Sequence, residues 1–222
     1  MRRKVLSVVS VGIALAAFLS VNLSVGSACA APALADGISV EEEYLIPDEC
    51  GLSSYYVIVA KNNTGEDVAV DADFFAKDSS GNTVMKVNDY SEAVGKDQTF
   101  ILYGQFRNSK VENAKDYEYS LTVKQTDRCA YTSIDVTPDN EEECLSVSAR
   151  NNSDFDVNGV GVRTIFMKDG KAVGFDTVNI ADVGTTFKSG STNSQELGLN
   201  ASDYDDFILT YTSCSDVALG DL

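Results

Sequence analysis

One unit of about 90 residues is present twice in this sequence, and this duplication constrains the fold more than any other feature. The landmarks of the first copy recur in the same order, at offsets of 85 to 91 residues: Asn62-Asn63-Thr64 as Asn151-Asn152-Ser153, Asp67-Val68 as Asp156-Val157, Phe74-Phe75 as Ile165-Phe166, Ala93-Val94-Gly95 as Asp182-Val183-Gly184, Asp116-Tyr117 as Asp203-Tyr204, and Cys129 as Cys214. A period of this length is too long for a solenoid repeat and is typical of a duplicated small domain. The sequence therefore predicts two domains of one fold, at residues 36–129 and 130–222.

Strand signals dominate both copies, and no amphipathic helix of convincing length is present. Val70, Ala72 and Phe74 fall on one face of an alternating segment, as a half-buried antiparallel strand requires. Turn-forming Asn, Asp and Gly residues separate such segments. The expected strands are Ile38–Glu43, Tyr55–Lys61, Asp67–Ala76, Thr83–Val87, Thr99–Phe106, Tyr117–Lys124, Tyr131–Val136, Leu145–Arg150, Val157–Met167, Ala172–Ile180, Thr185–Ser191 and Asp206–Thr212. This pattern predicts an all-β fold of two tandem immunoglobulin-like β-sandwich domains, with short turns at 110–116 and 195–202.

The central strand of each copy leads into a glycine turn in a similar way. Phe74-Phe75-Ala76-Lys77-Asp78 precedes Gly81, and Phe166-Met167-Lys168-Asp169 precedes Gly170. With the Asn-Asn landmark before this strand and the Val-Gly landmark after it, this order resembles the FxLYD-type domain of exported bacterial proteins. The resemblance covers about 85 residues of each copy. It implies a small β-sandwich module, sometimes found in tandem, and it implies no general catalytic role.

The first 30 residues have the layout of a secretory signal peptide. Met1-Arg2-Arg3-Lys4 is basic, residues 5–25 carry no charge, and Ala28-Cys29-Ala30 is followed by Ala33-Leu34-Ala35. We expect cleavage after residue 30, with 28 and 35 as alternatives and an uncleaved anchor as another. Residues 25–29 also resemble a lipobox, which would attach lipid to Cys29. The mature chain is expected outside the cell or at its surface, without a membrane span, either free or lipid-anchored at Cys29.

Four cysteines remain in the expected mature chain: Cys50, Cys129, Cys144 and Cys214. An even number of cysteines in an exported chain is typical of disulfides, and four cysteines allow three connectivities. Because duplicated units should carry equivalent bonds, the sequence predicts the pairs Cys50–Cys129 and Cys144–Cys214. A zinc site is less favoured, because the sequence has no histidine and no Cys-x-x-Cys pair.

Charge and composition exclude several classes of function. The chain has 34 acidic and 17 basic residues, and removal of residues 1–30 takes the net charge from −17 to −20, which repels nucleic acids and anionic lipids. The absence of histidine excludes Ser-His-Asp and Cys-His nucleophiles and imidazole metal ligands. We therefore expect no enzyme and no cofactor. Paired carboxylates and a weak cation site at residues 139–143 remain as alternatives.

These observations favour a non-catalytic secreted or cell-surface protein that binds or spaces other molecules at the envelope. A protein partner is favoured over a glycan. The alternative is a carbohydrate-binding accessory module, since tyrosines combine a flat apolar face with a hydroxyl. If a binding face exists, we expect it around Tyr44, Tyr55 and Tyr56, although strands also favour tyrosine for ordinary packing.

Overall fold

Strands dominate the part of the protein that the structure describes. The computed structural model describes residues 37–140, 144–197 and 203–219, which contain thirteen strands and two single 3-10 turns. The all-β, sandwich-type fold expected from the sequence is confirmed. The expected signal peptide (residues 1–30) and Cys29 lie outside the described residues. None of the helical segments in the described ranges is long and apolar enough to cross a membrane.

Six strands form the N-terminal sandwich. They are β1 (Ile38–Pro47), β2 (Ser53–Asn62), β3 (Val68–Lys77), β4 (Thr83–Val94), β5 (Thr99–Arg107) and β6 (Asp116–Gln125), with a 3-10 turn at Asn108–Lys110. Sheet I has the antiparallel order β4-β3-β6, and sheet II has the order β1-β2-β5. Between them lies a buried apolar core that includes Phe74, Phe100 and Phe106.

Seven strands form the C-terminal sandwich. They are β7 (Ile134–Asn140), β8 (Leu145–Asn151), β9 (Val157–Lys168), β10 (Lys171–Ile180), β11 (Thr186–Phe187), β12 (Thr192–Leu197) and β13 (Asp206–Ser215), preceded by a 3-10 turn at Tyr131–Ser133. In sheet III, β9 lies between β10 and β13 and also pairs with the short β11; sheet IV has the order β12-β8-β7. The strand order of sheets I and II thus recurs in sheets III and IV, so the duplication extends to topology.

A third buried core joins the two sandwiches. It consists of Ile46, Val57, Val59, Ile101, Ile165 and Phe175. The first four belong to sheet II and the last two to sheet III, so the sheets stack in the order I, II, III, IV. Strand β2 is accordingly buried on both faces, because Tyr56 and Ile58 enter the N-terminal core while Val57 and Val59 pack against sheet III.

The repeated Asn-Asn landmark is a structural device that closes one end of each sandwich. Asn62 is fully buried, and its Nδ2 donates to the carbonyls of Glu66 (2.8 Å), Val94 (3.3 Å) and Gly95 (2.9 Å). Its Oδ1 accepts from the backbone N–H and the hydroxyl of Thr64, at 3.1 and 2.7 Å. Backbone groups that no strand satisfies are therefore satisfied by this one amide.

Replacing Asn62 by alanine should lower the free energy of unfolding by about 2–4 kcal/mol, because several buried polar groups lose their partner. Asn151, which bonds Phe155, Phe187 and Ser153 in the same way, should behave alike. The matched control is Asn63→Ala, since Asn63 is exposed and should change stability by about 0.5 kcal/mol or less. Urea denaturation measures both changes. Equal midpoints for the Asn62 and Asn63 variants would contradict this account.

The Gly159-Val160-Gly161 segment lies within β9 and is a local irregularity of the sheet. Gly159 has a φ of +48°, and a Cβ there would lie 2.3 Å from the side-chain oxygen of Asn179. The register of β13 against β9 shifts at the same place, between Thr212 and Cys214. The glycine therefore serves a bulge and a close approach, and nothing in it resembles a nucleotide-binding loop.

Candidate functional site

The three tyrosines expected to form a binding face point to two different sides of sheet II. Tyr55 and Tyr56 are neighbours in β2, so their side chains leave the sheet in opposite directions. Tyr56 is 7% exposed and packs edge-on against Phe74, with the ring centroids 5.8 Å apart. Burial, and then a 2.5 Å hydrogen bond from its hydroxyl to Glu43, raises the pKa of Tyr56. Tyr56 is a core residue of the N-terminal sandwich.

Tyr44 and Tyr55 lie on the other face of sheet II, at its contact with sheet III. The ring of Tyr55 is 5.3 Å from that of Phe175 and 6.1 Å from that of Tyr103, centroid to centroid. Tyr44 packs against the same core, and its hydroxyl donates to Glu42. Burial is the main reason why the pKa of each hydroxyl is raised. Both tyrosines are half-buried and contribute mainly to packing between the sandwiches.

A bidentate ion pair joins the sandwiches beside the third core. The guanidinium of Arg163 on β9 donates to both carboxylate oxygens of Asp89 on β4, at 2.6 and 2.9 Å. The two side chains are only 18% and 13% exposed. Arg163 also donates to the carbonyl of Ile101 at 2.6 Å and lies 5.1 Å from the ring centroid of Tyr103. Because β5 is an edge strand of sheet II, the arginine also covers one of its unpaired carbonyls.

Gln98 makes a second polar contact between the sandwiches. Its side chain is 2% exposed, and its Nε2 donates to the carbonyl of Tyr211 on β13 at 2.6 Å. Its Oε1 accepts from the backbone N–H of Gly95 at 2.5 Å. Both ends of the amide are therefore satisfied, and the contact fixes the start of β5 against the last strand of the chain.

A shallow groove beside the β1–β2 turn is lined by Asp48 and Glu112, among others. Asp48 already accepts the backbone N–H groups of Leu52 (2.8 Å) and Ser53 (2.9 Å), so its carboxylate holds the turn. Within residues 37–140, 144–197 and 203–219, no three acidic or cysteine side chains cluster to hold a metal ion. Part of the candidate cation segment at 139–143 lies outside these ranges.

Cys129 and Cys214 lie directly opposite each other in an isolated antiparallel bridge. Cys214 is 5% exposed and Cys129 is half-buried. Burial raises the pKa of the Cys129 thiol to about 11. Burial, and then the negative charge of Glu92, raises the pKa of the Cys214 thiol to about 12. The structure therefore brings together the two cysteines that end the repeated units.

The fold places the two cysteines of each pair expected from the duplication, Cys50–Cys129 and Cys144–Cys214, far apart. Cys50 precedes β2, whereas Cys129 lies past the other end of β2, near the Asp67–Thr126 backbone bond. A ten-residue strand separates them by about 30 Å, and a disulfide needs Cα atoms within about 7 Å. Cys144 precedes β8 and Cys214 lies near the opposite end of that strand, about 20 Å away on the same reasoning.

Sequence reasoning did not identify the residues that join the sandwiches, although one signal was present. The segment Tyr55–Ala60 is a continuous apolar run without the alternation of a half-buried strand. Such a run is typical of a strand buried on both faces, and it indicates that a second sheet covers sheet II. No comparable signal marks Arg163, Asp89 or Gln98, because each is a single polar residue in a strand or turn.

Comparisons with known proteins add little. No protein-family model matches the chain, and no curated protein matches its sequence. Among solved structures it is similar to a red sea bream transglutaminase, at 9% identity and a TM-score of 0.29, over 80% of this chain and 29% of that one. It is also similar to the C-terminal globular domain of an oligosaccharyltransferase from Pyrococcus abyssi (14%, TM-score 0.24, 77% and 43%) and to a β-glucuronidase of glycoside hydrolase family 2 (10%, TM-score 0.16, 75% and 20%). The chain spans less than half of each of these proteins, and similarities this weak support no inference about its activity.

Proposed function

We propose that this chain is a non-catalytic exported protein of the bacterial envelope that acts as a rigid binding and spacer module. The observation that carries the proposal is the buried core between the sandwiches, Ile46, Val57, Val59, Ile101, Ile165 and Phe175. A spacer must hold a fixed distance, and two sandwiches joined only by a flexible linker would not. Apolar packing, together with the Arg163–Asp89 ion pair, resists relative motion of the two sandwiches.

A protein partner suits the surface better than a glycan does. Tyr56 is buried, and Tyr44 and Tyr55 are half-buried against the second sandwich, so these three rings offer little flat surface on which a sugar could stack. The net charge of −17 for the full chain favours a basic partner surface through long-range attraction. The absence of histidine from the sequence and the structural use of Asp48 both favour a role without catalysis.

Crosslinking on intact cells of the native organism tests this proposal. We expect the mature chain to be recovered outside the cytoplasm, to begin after residue 28, 30 or 35, and to crosslink to one protein in fixed stoichiometry. The control is the chain from residue 31 onward, made without the signal peptide and expected to remain inside the cell without that crosslink. Recovery of the intact N-terminus in the cytoplasm would overturn the export part. Capture of abundant neighbours alone would overturn the protein-partner part.

A further inference from the structure

The segment between the two sandwiches pairs with the last strand of the chain. Residues 128–130 run antiparallel to β13, with Cys129 opposite Cys214. Two backbone hydrogen bonds flank the cysteines, from Ala130 N–H to Ser213 O (3.1 Å) and from Ser215 N–H to Arg128 O (2.8 Å). These bonds join the neighbours of the cysteines and leave the cysteines as a non-hydrogen-bonded pair of the ladder.

In such a pair the Cα atoms lie about 4.5 Å apart, and the side chains are on the same face and closer than in a hydrogen-bonded pair. A disulfide spans Cα separations of about 4.4–6.8 Å. We propose that Cys129 and Cys214 form a disulfide that ties the junction between the sandwiches to the final strand. The bond requires no movement of the backbone, because the ladder already sets its separation.

The bond forms by thiol–disulfide exchange with an oxidised dithiol oxidoreductase of the export compartment. The thiolate of one cysteine attacks the oxidant's disulfide, and the second cysteine then displaces the oxidant from the mixed disulfide. The two cysteines together lose two protons and two electrons, and the oxidant leaves as a dithiol. Since burial in the folded chain raises the pKa of both thiols, the exchange is expected to occur before the junction closes.

The pairing also explains why Cys129 and Cys214 would bond to each other and not to a cysteine of their own repeated unit. The equivalent cysteines end their units in sequence, but the packing of sheet II on sheet III brings these two ends together. A bond within each unit would have to span the length of a whole strand. The bond between the units spans only the distance between two adjacent strands. The disulfide therefore closes around the entire C-terminal sandwich and reinforces the rigid arrangement on which the proposed function rests.

Peptide mapping without reduction tests the pairing directly. Trypsin leaves Cys129 and Cys144 on one peptide, residues 129–150, so a second cleavage after Glu141–Glu143 is needed to separate them. We expect a crosslinked species that joins the Cys129 peptide to the Cys214 peptide. Cys129 joined to Cys50 or to Cys144 would overturn the proposal, as would recovery of Cys129 and Cys214 as thiols after refolding under oxidising conditions.

The mapping is performed on two samples, so that failure of export is distinguished from failure of the pairing. One sample is refolded in a glutathione redox buffer, where pairing depends on the fold alone. The other is recovered from the native cell. If the bond forms in the refolded sample but is absent from the sample recovered from the native cell, the pairing is retained and export to an oxidising compartment is overturned.

Thermal unfolding gives a second readout that does not depend on peptide recovery. A loop of this length predicts that reductant lowers the Tm of the oxidised protein by about 10 °C. The Cys214→Ala variant should have the lower Tm from the start and should not respond to reductant. Cys50→Ala is the control, since Cys50 is exposed, and it should keep both the higher Tm and the response. A Cys214→Ala protein that still responds to reductant would overturn the proposal.

Discussion

Truncation of Arg163 to alanine is expected to lower the free energy of unfolding by about 3 kcal/mol, because it leaves a largely buried carboxylate without its partner. The carboxylate of Asp89 would still accept one hydrogen bond, from the backbone N–H of Tyr103 at 3.0 Å, but it would lose both hydrogen bonds from the guanidinium. The carbonyl of Ile101 would lose its donor as well. Urea denaturation followed by circular dichroism measures the change. We also expect the single transition to broaden, since each sandwich retains its own core.

Three variants separate the ion pair from a general loss of packing. Arg163→Lys keeps the charge but not the bidentate geometry, so its loss should fall between those of the parent and the alanine variant. Arg163→Met with Asp89→Asn removes both charges and should recover more than 1 kcal/mol relative to Arg163→Ala. Lys188→Ala breaks an exposed pair with Asp156 and should cost about 0.5 kcal/mol or less. An Arg163→Ala variant as stable as Lys188→Ala would contradict the role assigned to this pair.

The same ion pair explains where the sequence pattern failed. The fourth strand was expected to end at Val87, but β4 continues to Val94. Beyond Val87 the core-facing positions carry Asp89 and Ser91, so the apolar alternation disappears while the strand does not. The partner of Asp89 is 74 residues away in the sequence, in the other copy of the unit. A local pattern cannot contain a contact of that kind.

Edge strands are the second feature that the pattern of apolar alternation predicted poorly. Thr192–Leu197 forms β12, although a short turn was expected nearby. This strand lies at the edge of sheet IV, and of its six residues only Leu197 is buried, so it lacks the apolar face from which strands are recognised. By contrast, strands with a strict alternation, such as β3, were predicted to within one residue at each end.

Sheets II and IV are equivalent in the two copies, but their outer faces differ. This difference explains why sheet II packs against the other sandwich and sheet IV does not. Sheet II presents Val57 and Val59 to sheet III, and the positions 89 residues later, in sheet IV, carry Ser146 and Ser148. The two serines are partly exposed, and Ser148 bonds Ser194 at 2.7 Å. The second copy therefore lacks the apolar surface on which a further sandwich would pack. The difference between these valines and serines is visible in the sequence, but its consequence for packing follows only from the stacking order of the sheets.

Replacing Phe175 by alanine should have the largest effect of any change at the junction, with a loss of about 3–5 kcal/mol in the free energy of unfolding. Phe175 is 2% exposed, and its ring lies 4.8 Å from Tyr103 and 5.3 Å from Tyr55, centroid to centroid. Its removal leaves a cavity between sheets II and III that rigid sheets cannot fill. We expect amide hydrogen exchange to accelerate on both sides of this contact, in β2 as well as in β10, because the two sheets separate more often.

Phe100→Ala is the matched control, since Phe100 is fully buried but lies within the N-terminal sandwich. It should lose a similar amount of stability, yet accelerate exchange within sheets I and II and leave β10 unchanged. The two variants therefore differ in where the protein opens and not in how much stability it loses. If Phe175→Ala accelerated exchange in β10 alone, the sandwiches would be independent bodies in solution. A rigid spacer built on their shared core would then be untenable, even with the fold of each sandwich intact.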